Sequence, residues 1–419
     1  MQRLKTRLTK VIASGFIQVF LANIVSYLVA FCGSIIYVRL MGAHEFGIYT
    51  FSYNIISFFL LVNGFGAASG VLQFVSRTEN KQLGLAYLKF SMRLGIVFNC
   101  FLSLVILIYA FWVHLPIAGS RTALIAMAFF PVGRLYIDVY QAYLRATQQN
   151  QLLAKFAIST SLILLLANIL GIVYGALIGF IISTYISYGI IILLASFIFK
   201  LPNLWRIQSL TIDKKEFISY SIYATFGNAF AQLVYILDIL ILGYLVKDAV
   251  LVTTYKVATI IPFALNFIPG VISTFFYPYF ARHADNLAYI RQLRKQLQLG
   301  MLLFSGSVSL GLIALAKPLI ALLFGPTHLA SVLPFQILAF GFWIVATFRT
   351  INGNIIASLG KAKAAMRINI VIVSVNIVLT YFLVLHYGII GAAVGVVLIY
   401  ILASVIAGYV VRGLLKVET

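Results

Sequence analysis

The sequence predicts an all-α integral membrane protein of about twelve membrane-spanning helices, and three observations predict it. Hydrophobic residues make up 63% and charged residues 9% of the 419 positions, with a mean hydropathy of +1.06; an ordinary soluble domain carries roughly 25% charged residues. Apolar runs of the length that crosses a bilayer, about 20 residues as a helix, follow one another almost without interruption. These runs lack the two-residue alternation of a membrane barrel, so helices are the structures that satisfy their backbone inside lipid.

Read in order, the spans fall at 11–38, 46–75, 94–113, 122–144, 156–173, 176–199, 217–246, 249–281, 297–316, 332–359, 368–385 and 389–411. The first follows the basic start Met1 to Lys10 and is too long for a signal-peptide core, so it is expected to stay attached as a helix. Connections are short. One of them, Lys317 to Ala330, carries the apolar stretch Pro318 to Phe324 before Gly325 and Pro326, the pattern of a bend or a short interfacial segment. Cys32 and Cys100 lie in apolar runs without CxxC or histidine spacing, which predicts packing residues rather than a metal site or disulfide.

The formal charge of +21 is distributed by topology. Alternate connections hold 23 lysines and arginines on one side, among them Arg77, Arg145, Arg206, Arg282, Arg291, Arg294, Arg367 and Arg412, against four on the other: Arg39, Arg121, Lys247 and Lys317. An even number of spans with this bias puts both termini in the cytoplasm. The excess can also touch anionic lipid headgroups. No basic stripe with interleaved aromatics exists, which argues against a nucleic-acid partner.

The chain repeats itself. Lys10 before span one and Arg77 after span two reappear as Lys215 and Arg282 around spans seven and eight, both shifted by 205 residues. Tyr174, Gly175 and Gly179 likewise correspond to Tyr387, Gly388 and Gly391, shifted by about 213. Six spans per half give the halves the same orientation about an axis along the membrane normal, with a cleft between them as the consequence. The expected division is an N-terminal bundle over 1–200 and a C-terminal bundle over 201–419, joined through Leu201 to Glu216.

Catalytic chemistry has little to work with. No P-loop occurs, nine carboxylates form no DxD pair, and five histidines are scattered near span ends. No clustered acid, base or nucleophile indicates an enzyme, and no cofactor or metal site is indicated. The informative residues are polar groups inside spans. Arg134 and Asp138 share a helix face, which Gln141 extends by a turn; Lys256 and Asn266 share another; Arg349 and Asn352 a third. Asp238 and Lys256 lie at similar depth on either side of the connection at Lys247 and Asp248. Each intramembrane charge costs on the order of 3 kcal/mol on insertion scales, so these groups are expected to face the interior. Three cations against two anions leave one net positive charge there, suited to an anionic cargo, while Arg134 with Asp138 and Asp238 with Lys256 can also be read as structural ion pairs. The GxxxG spacings Gly66 to Gly70, Gly171 to Gly175 and Gly391 to Gly395 predict close helix packing, and Pro131, Pro262 and Pro269 predict bends or hinges.

Several motifs in order carry a family likeness. They are Arg39-Leu-Met-Gly42-Ala-His-Glu45-Phe-Gly47-Ile-Tyr49 after span one, Gly64-Phe-Gly66 with Arg77, Tyr255 through Tyr277-Pro278 and Arg282, Pro318 to Gly325, and Tyr387-Gly-Ile-Ile-Gly391-Ala-Ala. With them the chain resembles the polysaccharide transporter, or Wzx-type, lipid-linked oligosaccharide flippases of the multidrug/oligosaccharidyl-lipid/polysaccharide (MOP) superfamily. The resemblance implies two six-helix bundles around a V-shaped cleft in a bacterial inner membrane. It implies a cargo of undecaprenyl-pyrophosphate-linked O-antigen, capsule or exopolysaccharide units, moved to the periplasmic leaflet by alternating access, with membrane lipids, a glycan polymerase and a chain-length regulator as partners. Depth and charge, rather than any family motif, make Arg134, Lys256, Arg349, Asn352, Asn266 and Gln141 the residues expected to meet substrate, and Asp138 or Asp238 the one expected to couple transport to an ion gradient. The alternatives are a multidrug or cation exporter of the same superfamily, a membrane-embedded glycan polymerase or ligase, and a scaffold.

Overall fold

A computed structural model describes residues 16–202 and 210–415. The basic start Met1 to Lys10, the head of the first apolar run, part of the Leu201 to Glu216 connection and Lys416 lie outside the described residues. Among those described there is no β-strand. The helices are α1 (Phe16–Leu60), α2 (Ala67–Arg77), α3 (Lys81–Trp112), α4 (Ser120–Met127), α5 (Phe130–Ala146), α6 (Asn150–Phe197), α7 (Lys214–Leu233), α8 (Leu237–Val246), α9 (Ala249–Ala264), α10 (Phe267–Arg282), α11 (Leu287–Ala314), α12 (Ala316–Phe324), α13 (Val332–Ile344), α14 (Thr350–Ser358) and α15 (Ala362–Leu414).

Seven continuous stretches are long and apolar enough to cross a membrane, and three of them, of 60, 48 and 52 residues, are far too long for one crossing. Each of these three turns back at glycine. Gly42 adopts φ 75° inside α1, Gly175 and Ala176 leave helical geometry inside α6, and Gly388 adopts φ 55° inside α15. The reversal in α6 is closed by the hydroxyls of Ser183 and Thr184, which donate to Asn168 Oδ1 at 2.9 and 3.0 Å. With the bent pair α4–α5 and the pair α7–α8 counted as one crossing each, the chain makes the twelve spans expected from its sequence.

The repeat is visible in these turns. A Cβ on Gly179 would strike the carbonyl of Gly171, and one on Gly391 would strike the carbonyl of Leu383, eight residues upstream in both cases. Gly42 and Lys247, 205 residues apart, both carry positive φ at the first turn of their halves. Glycine, as at Gly42, tolerates that conformation without steric cost, and the helices can approach closely only where no side chain intervenes.

By its contacts the chain divides into two compact units, Met1–Ala229 and Phe230–Thr419. The division falls inside α7, and glycine explains why its first half goes with the N-terminal unit. Gly66 and Gly70 leave room only for Phe217, Ser221 and Thr225 of α7, and Phe217 is fully buried among Phe74, Tyr87 and Phe90. The first GxxxG is thus an internal packing motif. In the C-terminal unit Phe280, Ile290, Phe342, Ala346, Ile355 and Val411 form a core joining α10, α11, α13, α14 and α15.

Two local expectations meet a definite outcome. The stretch before span ten is the short helix α12, stopped at Gly325 with φ 99° and followed by a 3-10 turn, Pro326–Ser331. Cys32 and Cys100 are exposed on their helices rather than packed inside. The correction has a simple cause: in a bilayer the outer surface is itself in an apolar solvent, so an apolar residue need not be interior.

Candidate functional site

In the N-terminal unit the polar groups gather around two broken helices. Between α1 and α2 the chain makes a 3-10 turn, Asn63–Gly66, with Gly64, Phe65 and Gly66 at φ 57°, 53° and 76°. Three left-handed residues in succession, one a phenylalanine, strand backbone groups that a continuous helix would satisfy. Between α4 and α5 the axis bends by 44° ahead of Pro131. Tyr185 bridges that bend, its hydroxyl donating to the Ala126 carbonyl at 2.7 Å and accepting from the Phe129 amide at 3.3 Å.

Asn99 of α3 ties the two breaks together. Its Oδ1 accepts from the Gly64 amide at 2.8 Å, and its Nδ2 donates to Asn63 Oδ1 and to the Pro131 carbonyl, each at 2.7 Å. The network then runs outward. Asn63 Nδ2 donates to Asp138 Oδ2 at 3.0 Å, and Asp138 Oδ1 receives Arg134 Nε at 3.0 Å. The ends of this chain differ in exposure: Asn99 is 0% accessible, while the Asp138 and Arg134 side chains are 27% and 49% accessible. Arg134 therefore closes a buried network with an accessible guanidinium, whose charge also acts on Tyr53 and Tyr188 nearby. Gln141 is half-buried one turn farther along α5 and stands outside the network.

In the C-terminal unit Asp238 is almost wholly buried at the start of α8, just after the interruption between α7 and α8. Its carboxylate accepts from the Tyr255 hydroxyl at 2.7 Å and from the Ile239 amide at 2.8 Å. No salt bridge joins it to Lys256, which is half-buried and close enough for the charges to interact. Arg349 Nη1 donates to the Tyr235 hydroxyl at 3.0 Å. The buried phenol of Tyr400 has Tyr235, Arg349, Asp238 and Asn266 as polar neighbours, so one cluster gathers Asp238, Arg349 and Asn266 around three tyrosines.

Asn352 goes elsewhere. A π-helical turn, Val345–Arg349, separates α13 from α14, a rare geometry found often at functional sites. Arg349 is directed to Tyr235, whereas Asn352, 1% accessible, accepts from Arg294 Nε at 2.9 Å and Gln298 Nε2 at 3.5 Å on α11. The face that i, i+3 spacing predicts for Arg349 and Asn352 is divided between two sets of partners.

Reasoning from charge alone missed Asn63, Asn99, the tyrosines and Arg294. An asparagine within an apolar run carries the same signal as a charge, a polar group needing an internal partner, and Asn99 in Phe98-Asn99-Cys100 displays it. The tyrosines had no such signal, since 24 of them are spread along the chain. No group of histidine, cysteine or carboxylate side chains able to hold a metal occurs among the described residues.

The architecture has known counterparts. The fold is similar to that of the lipid II flippase MurJ in an inward closed conformation, with a TM-score of 0.76 at 15% identity over 94% of this chain and 87% of that one. It is similar also to an inward-facing multidrug resistance MATE transporter of the MOP superfamily, with a TM-score of 0.74 at 12% identity over 94% and 96% of the two chains. The Vibrio cholerae MATE transporter VcmN gives 0.65 at 16% identity over 97% and 98%. No curated protein sequence matches the chain. The apolar helices and this shared fold define a multi-pass membrane protein. The family model described as "polysaccharide biosynthesis protein" matches residues 36–333, and the chain belongs to that family. Family and fold together bear out the resemblance to the MOP flippases read from the sequence motifs.

Proposed function

We propose that the chain is a flippase that moves an oligosaccharide linked to a polyprenyl pyrophosphate, of the undecaprenyl type, from the cytoplasmic to the periplasmic leaflet of a bacterial inner membrane. The observation that carries the reading is the state of the two intramembrane arginines. Arg134 offers an accessible guanidinium at the end of a buried network, and Arg349 is held by a tyrosine hydroxyl, with no carboxylate partner among the described residues. Cationic donors held inside a span suit a pyrophosphate, which needs charge-assisted hydrogen bonds away from bulk water. Hydroxyl and amide groups such as Tyr235, Asn63 and Gln141 suit sugars, while the prenyl tail can remain in lipid.

Alternating access is the proposed mechanism, with six-helix bundles over 1–200 and 201–419 as its moving parts and both termini cytoplasmic. Asp138 and Asp238 are the intramembrane carboxylates available to couple the cycle to a proton or sodium gradient. Lys256, Asn266 and Asn352 complete the proposed cargo contacts. Whether the glycan becomes O-antigen, capsule or exopolysaccharide, a polymerase and a chain-length regulator would act after it.

A second reading, export of a drug or cation, is favoured by the likeness to MATE transporters. The test compares glycan export, with the lipid-linked intermediate assigned to its leaflet, in cells carrying wild type, Arg134→Ala, Lys256→Ala or Arg349→Ala at matched protein levels. Intermediates stalled in the cytoplasmic leaflet are expected. Normal export in all three variants would remove the site, and saturable binding of amphipathic cations would favour the exporter.

A further inference from the structure

Apart from the cluster around Asp238 and Arg349, the C-terminal unit holds a second concentration of positive charge, which meets the proposed cargo contacts at Asn352. Arg294 lies in the third turn of α11, about 10 Å along the axis from the helix start at 1.5 Å per residue, and Arg412 lies in the last turn of α15. The charge that acts on Arg294 is that of Arg412, a like charge. Neither they nor Arg291 joins an ion pair among the described residues, where the two salt bridges are Arg77 with Glu216 and Arg134 with Asp138. The described carboxylates of this unit are committed or placed elsewhere: Asp238 to Tyr255 and Asp248 to the α9 amides, with Asp285 in the α10–α11 connection.

The arrangement is built rather than loose. Asn352 Oδ1 receives Arg294 Nε and so fixes the plane of the guanidinium, and Asn352 is itself buried. Gly408 faces the pair: a Cβ there would lie 4.0 Å from Arg294 Nη2, so the absence of a side chain leaves room beside the terminal nitrogens. Arg291 is anchored separately, its Nη2 donating to the Leu415 carbonyl at 2.6 Å. A guanidinium held through Nε, with its terminal donors open and a like charge as neighbour, is stabilised by an anion that can bridge the two. Phosphate oxygens match the planar fork of arginine. The charge bias of the chain assigns these helix ends to the cytoplasmic headgroup level.

We propose that Arg294 and Arg412, with Asn352 as a positioning residue, form a phosphate-binding site at the cytoplasmic end of α11, α14 and α15. Two molecules present the same chemistry there: an anionic phospholipid headgroup, and the pyrophosphate of a prenyl-linked cargo. The site does not depend on the glycan reading, since the first ligand would occupy it in a transporter of any cargo.

The full chain, purified in neutral detergent, is titrated with phosphatidylglycerol, with geranylgeranyl pyrophosphate and with phosphatidylcholine, following both the thermal unfolding midpoint and direct binding. A raised midpoint with phosphatidylglycerol or with the pyrophosphate, and little with phosphatidylcholine, is expected, and the stronger arm identifies the source. The dissociation constant should rise about tenfold, equivalent to about 1.4 kcal/mol, in Arg294→Gln and in Arg412→Gln. Arg294→Lys, which keeps the charge and loses the fork, should recover part of the affinity. Arg412 is exposed, so its variant tests the site even if Arg294→Gln folds poorly. Unchanged affinity in Arg412→Gln, or no binding of either anion by wild type, overturns the proposal.

Discussion

Asn99→Ala is the sharpest test of the N-terminal network, because this one side chain serves both broken helices. It removes three hydrogen bonds, to the Gly64 amide, Asn63 Oδ1 and the Pro131 carbonyl. Hydrogen bonds between membrane helices average about 0.6 kcal/mol and reach about 1.7, so three of them amount to roughly 2–5 kcal/mol. The upper part of that range applies because Asn99 is 0% accessible, and the orphaned Gly64 amide would have no water to replace its partner. Asn63→Ala loses two bonds at a half-buried position and should cost less. The double variant should fall short of the sum by the worth of the bond they share. The assay is reversible unfolding of the purified chain in mixed micelles, with glycan export measured in parallel. If Asn99→Ala unfolds at the wild-type midpoint and exports normally, the network neither holds the breaks nor presents Arg134, and the reasoning fails.

Three further outcomes follow from particular contacts. Gly391→Ala drives a Cβ into the Leu383 carbonyl and should destabilise by about 1–3 kcal/mol, whereas Gly395→Ala, whose Cβ would lie 3.1 Å from the Thr380 hydroxyl, should be tolerated better; thermal unfolding of the two compares them directly. Glu45→Gln weakens the acceptor that receives the Leu177 amide at 3.0 Å, at the start of the returning half of α6, and should cost about 0.3–1 kcal/mol; no change in the melting curve would show that the contact contributes nothing. Asp138→Asn combined with Asp238→Asn should abolish stimulation of transport by an imposed proton or sodium gradient in vesicles, and gradient-driven transport that survives both changes would end the assignment of coupling to these carboxylates.

The fold was legible in the sequence because its signals act over many residues. Hydropathy set the number of spans, charge asymmetry set their alternation, and the glycines of the repeated turns marked where chains of apolar residues double back. What could not be read is local and depends on direction. Helical spacing places Arg349 and Asn352 on one face, yet their long and short side chains find different partners, Tyr235 for one and Arg294 for the other. Depth placed Asp238 beside Lys256, but the carboxylate takes its hydrogen bond from Tyr255, the residue before that lysine. The phenol gives the acid a neutral hydrogen-bond donor, and Lys256 acts on it through its charge alone. Arg294 was counted among the loop charges because it lies with Arg291 and Lys295 just ahead of span nine at 297–316, and its contact with Asn352 depends on a helix distant in sequence.

The hydrogen-bond balance of the two charged clusters bears on the kind of cargo. Each oxygen of the two intramembrane carboxylates already accepts one hydrogen bond: Asp138 from Arg134 and Asn63, Asp238 from Tyr255 and the Ile239 amide. An organic cation reaching either carboxylate would share it with these donors. The arginines are in the opposite condition. A guanidinium carries five N–H donors and accepts nothing, and Arg134 is engaged through Nε and Arg349 through one terminal nitrogen. The surplus in both units is therefore of donors. A site with donors in excess favours phosphate and sugar oxygens over cations, and this asymmetry, more than net charge alone, weighs for a lipid-linked glycan as cargo.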